Sequence, residues 1–370
     1  MIKRYKKINS NHIKRTSRVF LPYMNKGKEE KLICFLKDYQ NVVNYFINVF
    51  WSQKDFSPNL PDSSITKKAV KKFGITARLS QCASKQAKEI IRSQKDRQVK
   101  TMPRFKKRVI NADSRFVDIS SFDGHFDMAI KTGSGLPKIV IPIQNTKHTL
   151  KFSDWKISKS VRIGELKGKI YIDLLYEKER PIYKTGGRVK TLDCGFNKLF
   201  TSNDNEKIGE TLKPIIKSFD KRINRKKANH FISTEIKKEI KKINLEGVSD
   251  LVIENLKHVK SKKRGKLSRK TNRFLSFWHY AKAIGYICQI CEENGIRVHK
   301  KDPWKTSQRC HICGNIDKKS RKNEKFLCTS CGYDGDADFN ASKNLEFLFL
   351  AEAYSLRSLP NHPYSTHLSI

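Results

Sequence analysis

Residues 302–345 read DPWKTSQRCHICGNIDKKSRKNEKFLCTSCGYDGDADFNASKNL. Cys310-His311-Ile312-Cys313 and Cys328-Thr329-Ser330-Cys331 form two C-x2-C pairs with 14 residues between them. Each pair can clasp a metal from one tight knuckle, and four thiolates make a closed tetrahedral Zn²⁺ site. No coordination position is left open for chemistry. The expected role is therefore structural, to fold a polar stretch that has little core of its own. Gly314 and Gly332 follow the two pairs, where a knuckle backbone favours positive φ. His311 is a possible competing ligand, but the four cysteines suffice.

Outward from this segment the texture is that of an α/β domain. Downstream, Asp338 stands within Asp336-Ala337-Asp338-Phe339-Asn340, and a final helix is expected from near Ala341. Upstream, Ile296-Arg297-Val298 predicts a short strand. Residues 272–293 predict one helix with Phe274, Phe277, Trp278, Ala281, Ile284, Ile287, Cys288 and Cys291 on a single face. Cys288 and Cys291 also read C-x-x-C, but among Ile and Phe they are expected to be core cysteines. Asp250–Glu254, DLVIE, reads as a buried strand, and a Lys/Arg-rich loop follows over 255–270. A charged helical stretch is expected over about 217–244. Val189–Leu192 is a strand running into Asp193, with a boundary near Gly186-Gly187. Alternation of strands and helices indicates an α/β architecture.

The first half differs. Residues 31–52 keep a 3.6-residue apolar period through Leu32, Phe35, Leu36, Val42, Val43, Phe46, Ile47 and Phe50, so a helix is expected. Helical character returns over about 65–95. From 108 to 180 alternating apolar positions, as in Ile139-Val140-Ile141 and Tyr171-Ile172-Asp173-Leu174, give β-strand signals. The expectation is a β-domain with a helical insertion, joined by a strand near Val19 from the start of the chain.

Lys and Arg number 77 against 36 acidic residues, a formal charge of +41. The excess is spread over the whole chain. A charge this large opposes compaction unless an anion neutralises it, and an extended polyanion is the natural partner. No run of 18 uncharged apolar residues exists, so no membrane partner is expected. The basic N-terminus lacks the apolar core of a signal peptide. Nine cysteines dominated by a metal-type pattern fit a reducing compartment. The expected location is a prokaryotic cytoplasm, in association with the nucleoid.

Asp193 and Glu254 each end an apolar strand, and Asp338 follows the second cysteine pair. Carboxylates placed so can converge on hard divalent cations and support phosphodiester cleavage. Taken singly, each is equally well explained by a structural role such as helix capping. The balance shifts with a resemblance. TLDCGFNKL around Asp193, LVIENL around Glu254, and the run from Asp302 to Leu345 resemble the transposon-encoded TnpB family of RNA-guided nucleases and the related miniature type V CRISPR effectors. The clear match covers about 189–348.

That resemblance implies a RuvC-like nuclease domain of RNase H fold (188–305 and 335–355) carrying an inserted four-cysteine zinc ribbon (306–334). It implies Asp193, Glu254 and Asp338 as the three acids holding Mg²⁺ or Mn²⁺, with Asp336 excluded, and Arg321 as a basic residue near the active site. It further implies a wedge-type β-barrel (1–30 and 105–187) with a helical recognition insertion (31–104); the polar, proline-containing tail over 356–370 is expected to carry little fold. The implied partners are a guide RNA and double-stranded target DNA bearing a short flanking motif, base pairing supplying most of the specificity. A monomer is favoured. The implied activity is that of a transposon-associated, metal-dependent DNA endonuclease. The competing readings are a miniature CRISPR effector, a non-cleaving RNA-guided DNA-binding regulator, and a transposase acting on its own ends. The segment between Asp193 and Glu254 is short for the family, which removes no acid.

Overall fold

The computed structural model describes residues 11–353, apart from 22–23, 56, 58–62, 115, 123–124, 131–137, 220–222, 257–267 and 303. The first ten residues, most of the Lys/Arg-rich loop and the tail over 356–370 lie outside the described residues. The chain divides into two compact units, Met1–Glu179 and Arg180–Ile370.

In the first unit, β1 (His12–Phe20) is followed by helices α1 (Lys26–Ser52), α2 (Ser63–Phe73) and α3 (Ala77–Asp96), then by β2 (Val109–Ala112), β3 (Val117–Phe122), β4 (His125–Ile130), β5 (Ile139–Gln144), β6 (Lys156–Leu166) and β7 (Lys169–Glu179). The strands pair as two antiparallel sheets, in the orders β1-β7-β6-β2 and β3-β4-β5. The early strand thus joins the later β-region, as expected, with Val19 opposite Ile172. Period-2 burial of Ile13, Ser17 and Val19 turns one face of β1 inward. The helices are inserted between two strands of one sheet. Helix α1 begins earlier than its apolar pattern, because Asn25 caps it by accepting from the Gly27 amide. The helical character over 65–95 is two helices. Gly74 turns into positive φ (64°), and Thr76 caps the next helix by accepting from the Leu79 amide.

In the second unit, β8 (Arg188–Asp193), β9 (Phe200–Ser202) and β10 (Lys207–Ile208) lead to α4 (Leu212–Ser218), α5 (Arg225–Ile240), β11 (Val248–Glu254), α6 (Arg269–Phe277), α7 (Tyr280–Glu293) and β12 (Arg297–Lys301). Three short strands, β13 (Arg321–Lys322), β14 (Lys325–Leu327) and β15 (Asp334–Asp336), precede α8 (Ala337–Ala353). The sheet order is β10-β9-β8-β11-β12. β8, β11 and β12 run parallel, β9 pairs antiparallel with β8, and β10 pairs antiparallel with β9. A three-strand meander followed by two parallel strands is the RNase H-like arrangement. Helix α8 packs on this sheet, and β13-β14-β15 form a separate antiparallel hairpin sheet.

Two expectations are corrected here. The helix over 272–293 is broken, because Trp278 leaves helical backbone with ψ 95°. The indole is buried, stacked on Phe274 (ring centroids 5.2 Å apart) and edge-on to Tyr280 (6.0 Å). The break resets the helical phase, so Ala283 rather than Ala281 joins Ile287 and Cys291 in the core. Cys288 packs against that core, as its apolar surroundings implied. The final helix starts at Ala337, not near Ala341, because Asp336 accepts hydrogen bonds from the Asp338 and Phe339 amides (2.8 and 3.1 Å) and so caps it. No helix among the described residues is long and apolar enough to cross a membrane.

Candidate active site and metal centre

β8 and β11 are parallel neighbours in which Leu192 lies opposite Ile253. Their last residues, Asp193 and Glu254, therefore end side by side. Helix α8 crosses the same two strands and brings Asp338, in its first turn, to the same edge. The three acids are 6%, 7% and 5% exposed, unusual for carboxylates, which stay buried only when partnered. Asp193 and Glu254 lie close enough to perturb each other's ionisation. Burial pushes the Asp193 carboxyl well above its ordinary range, and the charges of Glu254 and Asp338 push it further, against the pull of Arg321. Burial likewise raises Glu254, reinforced by Asp338 and opposed by the neighbouring Asp193 and Arg321. Like charges forced together out of water behave in this way, and such a cluster fits a multivalent cation. The position after Cys194 is tight. A Cβ on Gly195 would lie 3.2 Å from Asp338 Oδ2 and 3.1 Å from the Lys198 carbonyl.

Arg321, carried by β13, donates from Nη2 to Asp338 Oδ1 at 2.7 Å. Among the described residues it is the basic side chain hydrogen-bonded to one of the three acids.

The four cysteines converge. Cys310 Sγ is 3.7 Å from Cys331 Sγ, and Cys313 Sγ is 3.5 Å from Cys328 Sγ. All four sulfurs lie within 4.8 Å of one another. A tetrahedron with metal–sulfur bonds of about 2.3 Å has edges of about 3.8 Å, so the spacing suits one metal ion. Among the described residues no other group of three or more His, Cys, Asp or Glu ligand atoms is drawn that close; the three acids are more open. Burial disfavours the Cys328 thiolate, yet hydrogen bonds from the Cys331 and Ser330 amides prevail and bring it down to about 6. Gly314 and Gly332 have φ of 77° and 74°, the turns their positions called for. His311 is not in the cluster; its ring nitrogen Nδ1 lies 3.0 Å from Asn340 Oδ1.

Several working residues escaped the sequence reading. Asn340 donates to the Arg309 carbonyl (2.7 Å) and accepts from the His311 amide (2.9 Å). Asn344 donates to the carbonyls of Thr306 (2.9 Å) and Arg309 (2.7 Å). These two asparagines, one helical turn apart, clamp the first knuckle onto α8. Their spacing within AD-x-N-A-x-x-N was the available signal. Asp336, set aside as a ligand, is the helix cap and also binds Lys198 (2.6 Å).

Residues 280–345 match the family model described as Cas12f1-like, TNB domain. A CRISPR-associated endodeoxyribonuclease Cas12f1 of Sulfoacidibacillus thermotolerans is 47% identical over 75 residues, 20% of this chain and 18% of that protein. A TnpB-like protein of Aquifex aeolicus is 34% identical over 130 residues, 33% of this chain and 42% of that one. The matched segments thus span less than half the length of either curated relative. In fold, the chain is similar to Cas12f1 in a solved Cas12f1–sgRNA–target DNA complex. The TM-score is 0.55 at 14% identity, over 87% of this chain and 83% of that one. The likeness to TnpB-like proteins and miniature type V effectors that the motifs implied is therefore present in sequence across the ribbon and its flanking helices, and in fold across most of the chain.

Proposed function

We propose that this chain is an RNA-guided, divalent-metal-dependent DNA endonuclease of the transposon-associated kind, acting as a monomer in the prokaryotic cytoplasm and nucleoid. The observation that carries the reading is the meeting of three buried carboxylates, from two parallel strand ends and a helix start, with Arg321 against them. Asp193, Glu254 and Asp338 would hold Mg²⁺ or Mn²⁺. Such ions, when bound, activate a water and stabilise the leaving 3′ oxygen of a phosphodiester.

The chain's own residues prepare that chemistry. The strand ends fix the direction of Asp193 and Glu254. Arg321 orients the Asp338 carboxylate from the hairpin, and its part-exposed guanidinium lies where a phosphate can be met. Cys310, Cys313, Cys328 and Cys331 would hold Zn²⁺ and thereby hold β13 and the chain leading into α8. The two sheets of the first unit are the candidate wedge-type β-barrel, and its three helices the candidate recognition insertion, for guide RNA and the motif flanking double-stranded target DNA. The nuclease domain would comprise 188–305 and 335–355, around a ribbon at 306–334. The positive charge of the chain supports a nucleic-acid partner of this size.

The test is cleavage of a guide-matched plasmid with Mg²⁺ or Mn²⁺. Asp193→Ala should cut at least about a thousandfold more slowly than the unsubstituted chain, because the ligand set for the ions is broken. Equal cutting by the two proteins would sink the assignment. Sequencing the copurified RNA separates the sources: a guide ending in transposon sequence supports the reading above, and one carrying a CRISPR repeat replaces it with a miniature effector.

A further inference from the structure

The turn after Asp193 is pinned at three points. The Tyr280 hydroxyl donates to the Gly195 carbonyl at 3.1 Å. Asn197 Nδ2 donates to Glu324 Oε1 at 2.5 Å. Lys198 Nζ donates to Asp336 Oδ2 at 2.6 Å. The last contact differs from the others in what lies behind it. The other oxygen of Asp336, Oδ1, accepts from the amides of Asp338 and Phe339. One carboxylate therefore joins the turn leaving the first acid to the helix start that carries the third.

Lys198 is only 7% exposed. A buried ammonium persists only when paired, and here burial's downward pull on it is more than offset by Asp336, with Asp338 and Glu324 adding to the effect. Lys207 also approaches Asp336, at 3.6 Å, but its side chain is 40% exposed. A pair so exposed and so long holds little geometry.

We infer that Lys198 is a positioning residue: through Asp336 it sets the place of Asp338 relative to Asp193, and so tunes the affinity of the carboxylate cluster for divalent ions. This rests on the reading of the three acids given above. Without the Lys198 contact, Asp336 keeps its amide partners but loses its buried anchor on the turn, and the separation of the two acids is held less tightly. Partners one step removed from metal ligands commonly change affinity or activity by about 10- to 100-fold.

The experiment is Mn²⁺ titration of the full chain without nucleic acid, read by electron paramagnetic resonance, with Asp338→Ala as the baseline. A parallel Mn²⁺ titration follows guide-programmed cleavage. Lys198→Met should raise the half-saturating Mn²⁺ about tenfold in both titrations, while the cutting rate at saturating Mn²⁺ falls less than about threefold. Lys198→Arg should recover most of the loss, and Lys207→Met should stay within about twofold of the unsubstituted chain. Mn²⁺ binding by Lys198→Met equal to the unsubstituted chain would overturn the inference. So would equal losses in Lys198→Met and Lys198→Arg, which would mark a folding role only. Binding by the unsubstituted chain without any cutting would instead overturn the proposed function, and the binding arm would still decide the role of Lys198.

Discussion

The cysteine ribbon and the sheet it adjoins solve the problem of staying folded in opposite ways. Among the described residues, the ribbon's buried cluster is Cys310, Phe326, Cys328 and Ala337. The sheet and its helices bury, among the described residues, a cluster of twenty apolar side chains from Leu192 to Ile296. Burial of a side chain such as Val, Leu, Ile or Phe contributes about 1.5–3 kcal/mol, so the sheet can hold itself by packing and the ribbon cannot. The lesson is that the two halves of one site have different failure modes. Asp193 and Glu254 stand on the packed half. Arg321 stands on the ribbon, and Asp338 stands where the helix that packs on the sheet begins, directly after the ribbon.

The largest effect should therefore come from the ribbon. Structural zinc is worth about 10–16 kcal/mol in small ribbon-like modules. Cys328→Ser, or strong chelation, should unfold 306–336 and reduce cleavage at least about a hundredfold, as expected when a structural metal is lost. Limited proteolysis should then cut within the ribbon and spare β8 and β11. Full activity in Cys328→Ser would break the comparison. The next effect should come from the sheet side. Trp278→Ala removes a buried indole from between Phe274 and Tyr280 and should cost about 3–5 kcal/mol in urea unfolding. The zinc content of the folded protein should not change; a matching loss of zinc would show that the two regions are one cooperative unit.

The smallest effect contrasts two acids on one strand. Asp250 lies four residues before Glu254 on β11. Its carboxylate accepts from Arg297 Nε and Nη2 (2.7 and 2.9 Å), with Ser249 Oγ (2.7 Å) and His299 Nε2 (2.8 Å) also on it. The Arg297 guanidinium first, then Ser249 and His299, hold it below the usual carboxylate range against the opposing effect of burial. A lowered value means its contribution is present above the unfolded carboxylate range, near about pH 4, and is lost as pH falls below that. Asp250→Asn should cost about 1 kcal/mol at pH 7, since Arg297 is partly exposed, and the difference should shrink in acid. Glu254, held above its usual range by burial, has the opposite sign: in ion-free protein Glu254→Gln should not destabilise at pH 7. A stability loss in Glu254→Gln as large as that in Asp250→Asn would show that both acids are structural.

Much of the second unit could be read in advance because its constraints are local. Two C-x2-C pairs read as a metal-type cluster whatever surrounds them. A strand that is apolar on both faces and ends in an acid, as in DLVIE, announces a buried edge where charge must have a purpose. The first unit gave only periodicity, so its helices and strands were visible while their pairing into two sheets was not. Where the reading slipped, the reason was tertiary. Trp278 leaves the helix so that its indole can be buried, and no period along the chain announces that choice. Helix α8 begins early because Asp336 caps it, and an aspartate close to a motif acid looks like a rival ligand until its hydrogen bonds are seen.

The sequence by itself determined the cysteine cluster, the strands that end in Asp193 and Glu254, and the excess of positive charge, because each follows from spacing, local period or composition. Only the tertiary structure decided that Asp338 meets the other two acids, that Arg321 and not another of the many basic residues points at them, and that Lys198 ties the first acid's turn to the third acid's helix. Those contacts join residues far apart in the chain. They exist because a parallel strand pair, a helix laid across it and a metal-type knuckle fix the same small volume from three directions, and that is a property of packing, not of any one stretch of sequence.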